Sequence, residues 1–202
     1  MLIRQPFSAV ILCAGQSSRM GQPKALLPFN ATKTFLEQII DVYRKAGADN
    51  IVVVCNNVLF PGITKLISDK YESDQISVVT NTTSSSSRFS SIKTGIENVS
   101  NRQHLFIQNI DNPFTEVETI RQLVSYTIAN CYATPVINGQ RAHPILLSPE
   151  IVHAVAVSNV DDIDFREFLS AFHRIEVPLK TMQLTANINT TSDYANWFGQ
   201  TL

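Results

Sequence analysis

Apolar residues in this chain alternate between short unbroken runs and longer stretches with helical spacing. The first run covers residues 8–13 and is short enough for a buried strand. Residues 34–46 place Phe35, Leu36, Ile39, Ile40 and Tyr43 at helical spacing, and Gly47 follows as a stop signal. Residues 50–55 form an almost unbroken β-branched run, the pattern of a parallel strand covered on both faces. A helix over 63–70, a strand over 76–79, a helix over 89–99, a strand over 104–108 and an amphipathic helix over 117–129 are predicted next. Residues 131–137 and 144–147 read as strands flanking the Asn138-Gly139 turn. A helix over 165–172, a strand over 174–177 and a short closing helix over 191–198 complete the pattern. The alternation predicts an α/β protein with helices on both faces of a mostly parallel sheet that becomes mixed toward its end. Ligands of such sheets bind at the carboxyl ends of the strands. The loop after residue 13 and Asp111, just past the fourth strand, both fall at that edge.

The bulk properties narrow the class. A length of 202 residues fits one domain over 1–202. Hydrophobic residues make up 44% and charged residues 16%, which describes a globular chain. The net charge of −1 excludes a global basic field for nucleic acid or an anionic membrane. Any phosphate binding must therefore come from local charge. Cys13, Cys55 and Cys131 sit in apolar runs without metal-ligand spacing, as expected of small core residues in a reducing compartment. The N-terminal apolar run is too short for a signal peptide, and no stretch approaches the ~20 residues that span a bilayer. The expectation is a cytoplasmic protein.

Local charge is concentrated in one place. After the first strand the chain runs Cys13-Ala14-Gly15-Gln16-Ser17-Ser18-Arg19-Met20-Gly21-Gln22-Pro23-Lys24, and Ala25-Leu-Leu-Pro28 closes the loop. Backbone N–H groups of residues 14–21 can form an anion-binding nest, and Arg19 and Lys24 can neutralise phosphate charge. The spacing is not that of a Walker loop, because five residues separate Gly15 from Gly21 and Lys24 lies three positions further on. Nor is it the Gly-x-Gly-x-x-Gly dinucleotide fingerprint. On spacing alone, an ordinary strand-to-helix loop with exposed charges stays open. Asp111 is placed where a carboxylate can hold Mg²⁺ together with substrate phosphates, although a turn Asp before Pro113 would look the same.

The loop from Leu12 to Pro28 resembles the signature loop of nucleotidyltransferases with a glycosyltransferase-A-like fold, and is most similar to that of the molybdenum cofactor cytidylyl- and guanylyltransferases. Three further segments match in order: Ser87-Arg-Phe-Ser-Ser91-Ile-Lys-Thr-Gly95, Ile110-Asp111-Asn-Pro113, and Arg141-Ala-His143-Pro144. The tail from Asn187 to Asp193 is similar to the family's closing motif. The resemblance implies a Rossmann-like, three-layer α/β/α domain and Mg²⁺-dependent transfer of a nucleoside monophosphate from an NTP to a phosphate-bearing acceptor. Ala14, Gly15, Gln16, Ser17, Ser18 and Gly21 would cradle the phosphates, and Lys24 and Arg19 would stabilise charge. Ser90, Ser91 and Gly95 would lie near the nucleobase, with Arg88 adding charge. Asp111 and Asn189 would hold the metal, with Asn187 as neighbour, and Arg141 and His143 would bind the acceptor.

The chain departs from the family pattern at Ile110 and Ala142, each in place of a usual Gly, and at Asn189, where some relatives carry Asp and others Asn. Ala14, where relatives can carry a second Gly, resembles the cytidylyl branch and favours CTP; the Asn-Ile-Asn-Thr tail leans toward GTP. Molybdopterin or molybdenum cofactor is the leading acceptor. A sugar-1-phosphate nucleotidyltransferase and a non-catalytic nucleotide- or molybdopterin-binding carrier remain alternatives. Docking of a recipient molybdoenzyme and the oligomeric state are left open.

Overall fold

The computed structural model describes residues 5–15, 18–72, 74–82, 87–126, 129–160 and 162–199. Its centre is β1 (Phe7–Leu12), every residue of which is buried. β1 pairs in parallel with β2 (Asn50–Cys55) on one side and β4 (His104–Asn109) on the other, and β2 pairs in parallel with β3 (Ile76–Thr80). Beyond β4 the direction changes. β7 (Ile145–Leu147) runs antiparallel to β4 and to β5 (Cys131–Ile137). β5 forms a hairpin with β6 (Gln140–Arg141) and pairs in parallel with β8 (His173–Pro178). The order β3-β2-β1-β4-β7-β5-β6, with β8 against β5, is the mostly parallel, mixed sheet expected.

Two apolar layers sandwich this sheet, because successive side chains of a strand point to opposite faces. Ala9, Ile11 and Val53 join the cluster that holds α1 (Phe35–Ala46), α2 (Phe60–Lys70), α4 (Val117–Ser125) and α7 (Thr191–Phe198). Val10, Val52 and Val54 join the opposite cluster with α3 (Arg88–Glu97), α5 (Pro149–Ala156) and α6 (Phe165–Leu169). The helix ends follow local chemistry. Thr34 and Glu37 make a reciprocal capping box before α1, and Gly47 closes that helix at φ +93°. Thr190 and Asp193 do the same for α7, with Gly199 at its end. No helix among the described residues is long and apolar enough to cross a membrane.

Several boundaries differ from the pattern. The second helix begins at Phe60 because Pro61 is favourable in a first turn. The helix expected over 117–129 stops at Ser125, and that expected over 165–172 stops at Leu169. β7 starts at Ile145, after the cis His143–Pro144 peptide, and the arm past Gly139 adds the short β6. α5 is absent from the pattern reading. It spans only eight residues and buries just Ile151, Val152 and Val155, too short a period to stand out beside the preceding strand.

Gly95 of α3 packs directly against the sheet. A Cβ there would overlap Val10 Cγ1 and lie 2.9 Å from Val10 Cγ2 and 3.1 Å from Val54 Cγ2. Valine is stiff at χ1 and both partners are fully buried, so neither can yield cheaply. Gly95→Ala is expected to destabilise the fold by roughly 1–3 kcal/mol, the range for overpacking. Urea unfolding checks this; an unchanged midpoint would show that α3 can lift off the sheet at no cost.

Candidate active site

Everything at the candidate site hangs from the carboxyl ends of β1 and β4. The pairing Leu12↔Asn109 is the last rung between them. Cys13 N–H still donates to Val54 O at 2.7 Å, and Ile110 N–H donates to Leu12 O at 3.3 Å. Past these bonds the two chains separate, one into the cationic loop and the other into Asp111. Ile110, the departure from the family pattern, turns into the core and is buried.

The loop is pinned at both ends. Met20 and Leu27 are buried, while Gly15 and Arg19, which precede Met20 in the loop, are exposed. Gly21 adopts φ +69°, a left-handed turn that a side chain would strain. Lys24 opens a short 3-10 turn, Lys24–Leu26. Gln16 and Ser17 lie outside the described residues, and so does the side chain of Ser18.

The C-terminal segment closes over this loop. Asn112, fully buried, donates from Nδ2 to Leu184 O at 2.6 Å and to Ala186 O at 2.7 Å. Ile188 N–H donates to Asp111 O at 2.8 Å. Tyr194 OH donates to Pro28 O at 2.8 Å. These tethers bring Asn189 to Lys24, whose Nζ donates to Asn189 Oδ1 at 2.6 Å. Asn187, by contrast, is exposed.

Asp111 is half-buried, and its Oδ1 is enclosed without a hydrogen-bond partner. Burial raises its pKa, against the pull of Lys24 and Arg88. Burial lowers the pKa of Lys24, against the pull of Asp111. Both shifts point toward the neutral forms, so the site lacks charge compensation that a polar ligand could provide. An enclosed carboxylate oxygen beside a phosphate-type loop fits a hard cation such as Mg²⁺. No group of three or more His, Cys, Asp or Glu that could hold a metal occurs among the described residues, so such a cation would take most of its ligands from substrate and water. The amide of Asn189 would have to release Lys24 before it could serve as a second ligand.

Two cavities adjoin this edge. One, of about 270 Å³, is lined by Ala14, Gly15, Asn56, Asn81, Ser91 and Arg88 among others. Ser90 and Ser91 accept from Asn81 Nδ2 at 2.8 and 3.0 Å, and each donates to Ser87 O. Both hydroxyls therefore orient Asn81, and Ser91 itself lines the cavity. Gly95 does not reach this cavity, because its place is against Val10 and Val54. The constraint on residue 95 is helix–sheet packing.

The second cavity, of about 530 Å³, is lined by Arg88, Arg141, His143, Arg166 and Arg174 among others. Glu176 pairs with Arg141 at 3.5 Å and with Arg174 at 3.0 Å. His143 joins the two cavities, since its Nε2 meets Asn109 Nδ2 at 3.1 Å and Asn109 lines the smaller one. Asn56, Asn81, Asn109, Arg166 and Arg174 were not singled out in the sequence. Asn56 and Asn109 sit at strand ends, a positional signal that was available; Arg166 and Arg174 carry no local motif.

Comparison with known proteins adds to this geometry. The family model for the MobA-like NTP transferase domain matches residues 9–175. A molybdenum cofactor guanylyltransferase of Xanthomonas euvesicatoria pv. vesicatoria (strain 85-10) is 42% identical over 69 residues, 34% of this chain and 36% of that protein. The aligned stretch thus spans about a third of that relative's length. A molybdenum cofactor cytidylyltransferase of Escherichia coli (strain K12) is 26% identical over 192 residues, 92% of each. The crystal structure of Rv0371c from Mycobacterium tuberculosis H37Rv superposes with a TM-score of 0.76 at 22% identity, covering 97% of this chain and 99% of that one. That likeness bears on the fold, which it supports as a single α/β unit.

Burial, with the positive charges of Arg88 and Arg166 acting in the same direction, pushes the pKa of His143 down to about 4. The imidazole is therefore neutral at physiological pH and acts as a hydrogen-bonding group. In the unfolded chain it protonates near pH 6.5. Between that pH and about 4 the unfolded state binds more protons, so stability falls as pH falls. Replacing it, as His143→Asn, is expected to flatten the stability profile between pH 6.5 and 4 in chemical denaturation, and an unaltered slope would mean that His143 titrates freely in the folded protein.

Proposed function

The chain belongs to the MobA-like NTP transferase domain family, and from that premise we propose that it transfers a nucleoside monophosphate from an NTP to a phosphate on a molybdopterin-type acceptor, releasing pyrophosphate. The observation that carries this reading is the pair of adjoining cavities. The smaller lies against the Ala14–Gly15 backbone and the larger against Arg141 and His143. Asp111 and Lys24 belong to the same strand edge.

In this reading an oxygen of the acceptor phosphate attacks the α-phosphorus in line. One O–P bond forms, the bond from the α-phosphorus to the bridging oxygen of the β-phosphate breaks, and pyrophosphate leaves with the electron pair. An attacking phosphate dianion carries no proton on that oxygen, so no enzyme base or nucleophile is required. Catalysis then consists of positioning and charge stabilisation. Backbone N–H groups of residues 14–21 hold the β- and γ-phosphates. Lys24 leaves Asn189 for the triphosphate, and Arg19 adds charge from the exposed side of the loop. Asp111, assisted by Asn189, would hold Mg²⁺, which when bound neutralises triphosphate charge.

CTP is the favoured donor. The Ala14 floor and a cavity of about 270 Å³, at the small end for ligand pockets, suit a pyrimidine. The alignment at 26% identity over 92% of a protein named as a cytidylyltransferase agrees with this. GTP has its own support in the 42% identical stretch shared with a guanylyltransferase. A pyrophosphate-release assay with each NTP, Mg²⁺ and molybdopterin tests the proposal. Pterin-dependent release with CTP is expected; release with GTP alone would move the assignment to the purine, and no release with any NTP would overturn transferase activity on this acceptor. Lys24→Ala is expected to lower kcat by about 10²–10³, the scale of one electrostatic donor. Asp111→Ala is expected to abolish turnover, and full activity in that variant would remove Asp111 from the mechanism.

A further inference from the structure

Arg88 is the first residue of α3, immediately after the Ser87 cap, and its side chain lines both cavities. Its Nε and Nη2 are buried and have no hydrogen-bond partner. The guanidinium carbon lies 5.9 Å from the centre of the Phe165 ring, a contact that leaves those N–H groups unsatisfied. Burial lowers its pKa, with Asp111 opposing, but a guanidinium remains charged in proteins. Two further buried groups nearby are also unpartnered: Nδ1 of His143, which lines the larger cavity, and Oδ1 of Asp111, which attracts Arg88 electrostatically. A buried cation with open donors costs free energy unless an anion satisfies it.

We propose that Arg88 grips the phosphomonoester of the acceptor at the junction of the two cavities and aims its remaining oxygen at the α-phosphorus. The identity of the anion rests on the nucleotidyl-transfer reading above; the anion site itself rests on the geometry. A planar guanidinium fork matches two oxygens of a phosphate, which leaves the third free to attack. The neutral imidazole of His143 lines the same cavity as a second polar group. An acceptor ending in a hydroxyl presents no such anion, so Arg88 selects phosphomonoesters over alcohols.

Isothermal titration of the whole chain with inorganic phosphate, in the presence of saturating α,β-methylene-CTP, tests this. Arg88→Met is expected to weaken phosphate binding by roughly tenfold to a hundredfold while nucleotide affinity stays within about threefold, the difference expected for losing hydrogen bonds to a charged group. Arg88→Lys keeps the charge but loses the fork and is expected to recover only part of the affinity. In the release assay the same variants are expected to raise the KM for the acceptor more than that for the NTP. Unchanged phosphate affinity in Arg88→Met, an equal loss of nucleotide affinity, or no phosphate binding by the wild type overturns the proposal. If Arg88→Met melts early, Arg88→Lys decides, and full phosphate affinity there would show that the fork is not used. If the wild type binds phosphate but neither this analogue nor its guanine counterpart, the transferase reading fails on its own. Titrating Arg88→Met in a Lys24→Ala background, which removes the loop's anion site, then still decides the role of Arg88.

Discussion

The parallel pairing of β1 with β4 is the constraint on which the rest of the molecule depends. A strand buried on both faces must satisfy its backbone within the sheet, and β1 does so through β2 and β4 along its whole length. Where that pairing ends, at Leu12 and Asn109, backbone groups become available for something other than sheet. The cationic loop and Asp111 leave from those two points, a strand spacing apart. Neither could be moved without breaking the rungs that bury Val10 and Ile11. The site is thus positioned by the part of the fold least able to move.

Its electrostatics are built from scarcity. A chain with a net charge of −1 has no general attraction for phosphate. Arg19 and Lys24 in the loop, Arg88 between the two cavities, and Arg141, Arg166 and Arg174 around the larger one create a local field instead. Half-burial of Lys24, Arg88 and Arg174 strengthens these charges toward a ligand and raises the cost of leaving them unmatched. Asp111 is the carboxylate that acts on both Lys24 and Arg88, and burial makes its charge costly as well. The free site stores this imbalance, and a bound polyphosphate would relieve it.

Much of this was legible along the chain. The strands of the parallel half, the capped helices α1 and α7, and the loop from Cys13 to Lys24 each carry their signal in adjacent residues, so local pattern suffices. What escaped was what depends on distant partners. α5 has a period too short to declare itself. Gly95 looks like part of a binding motif until Val10 and Val54 are seen behind it. Asn81 reads as the start of a polar tract, whereas it organises Ser90 and Ser91. Asn189 matches a ligand position, yet its amide oxygen is held by Lys24, a contact that no local spacing encodes.

That last contact also bears on how the protein comes into being. Lys24 and Asn189 are 165 positions apart, and Asn112 is tied to Leu184 across 72. During synthesis the strands β1 to β4 can assemble while the closing segment is still inside the ribosome. Until that segment emerges, Asn112 has no carbonyls to bind and Asp111 lacks the Ile188 N–H. The half-made chain therefore presents the lining of the smaller cavity, which runs no further than Asn109, before the segment that tethers Asp111 and Lys24 has emerged. The strand edge is completed late in synthesis, an order written into the topology.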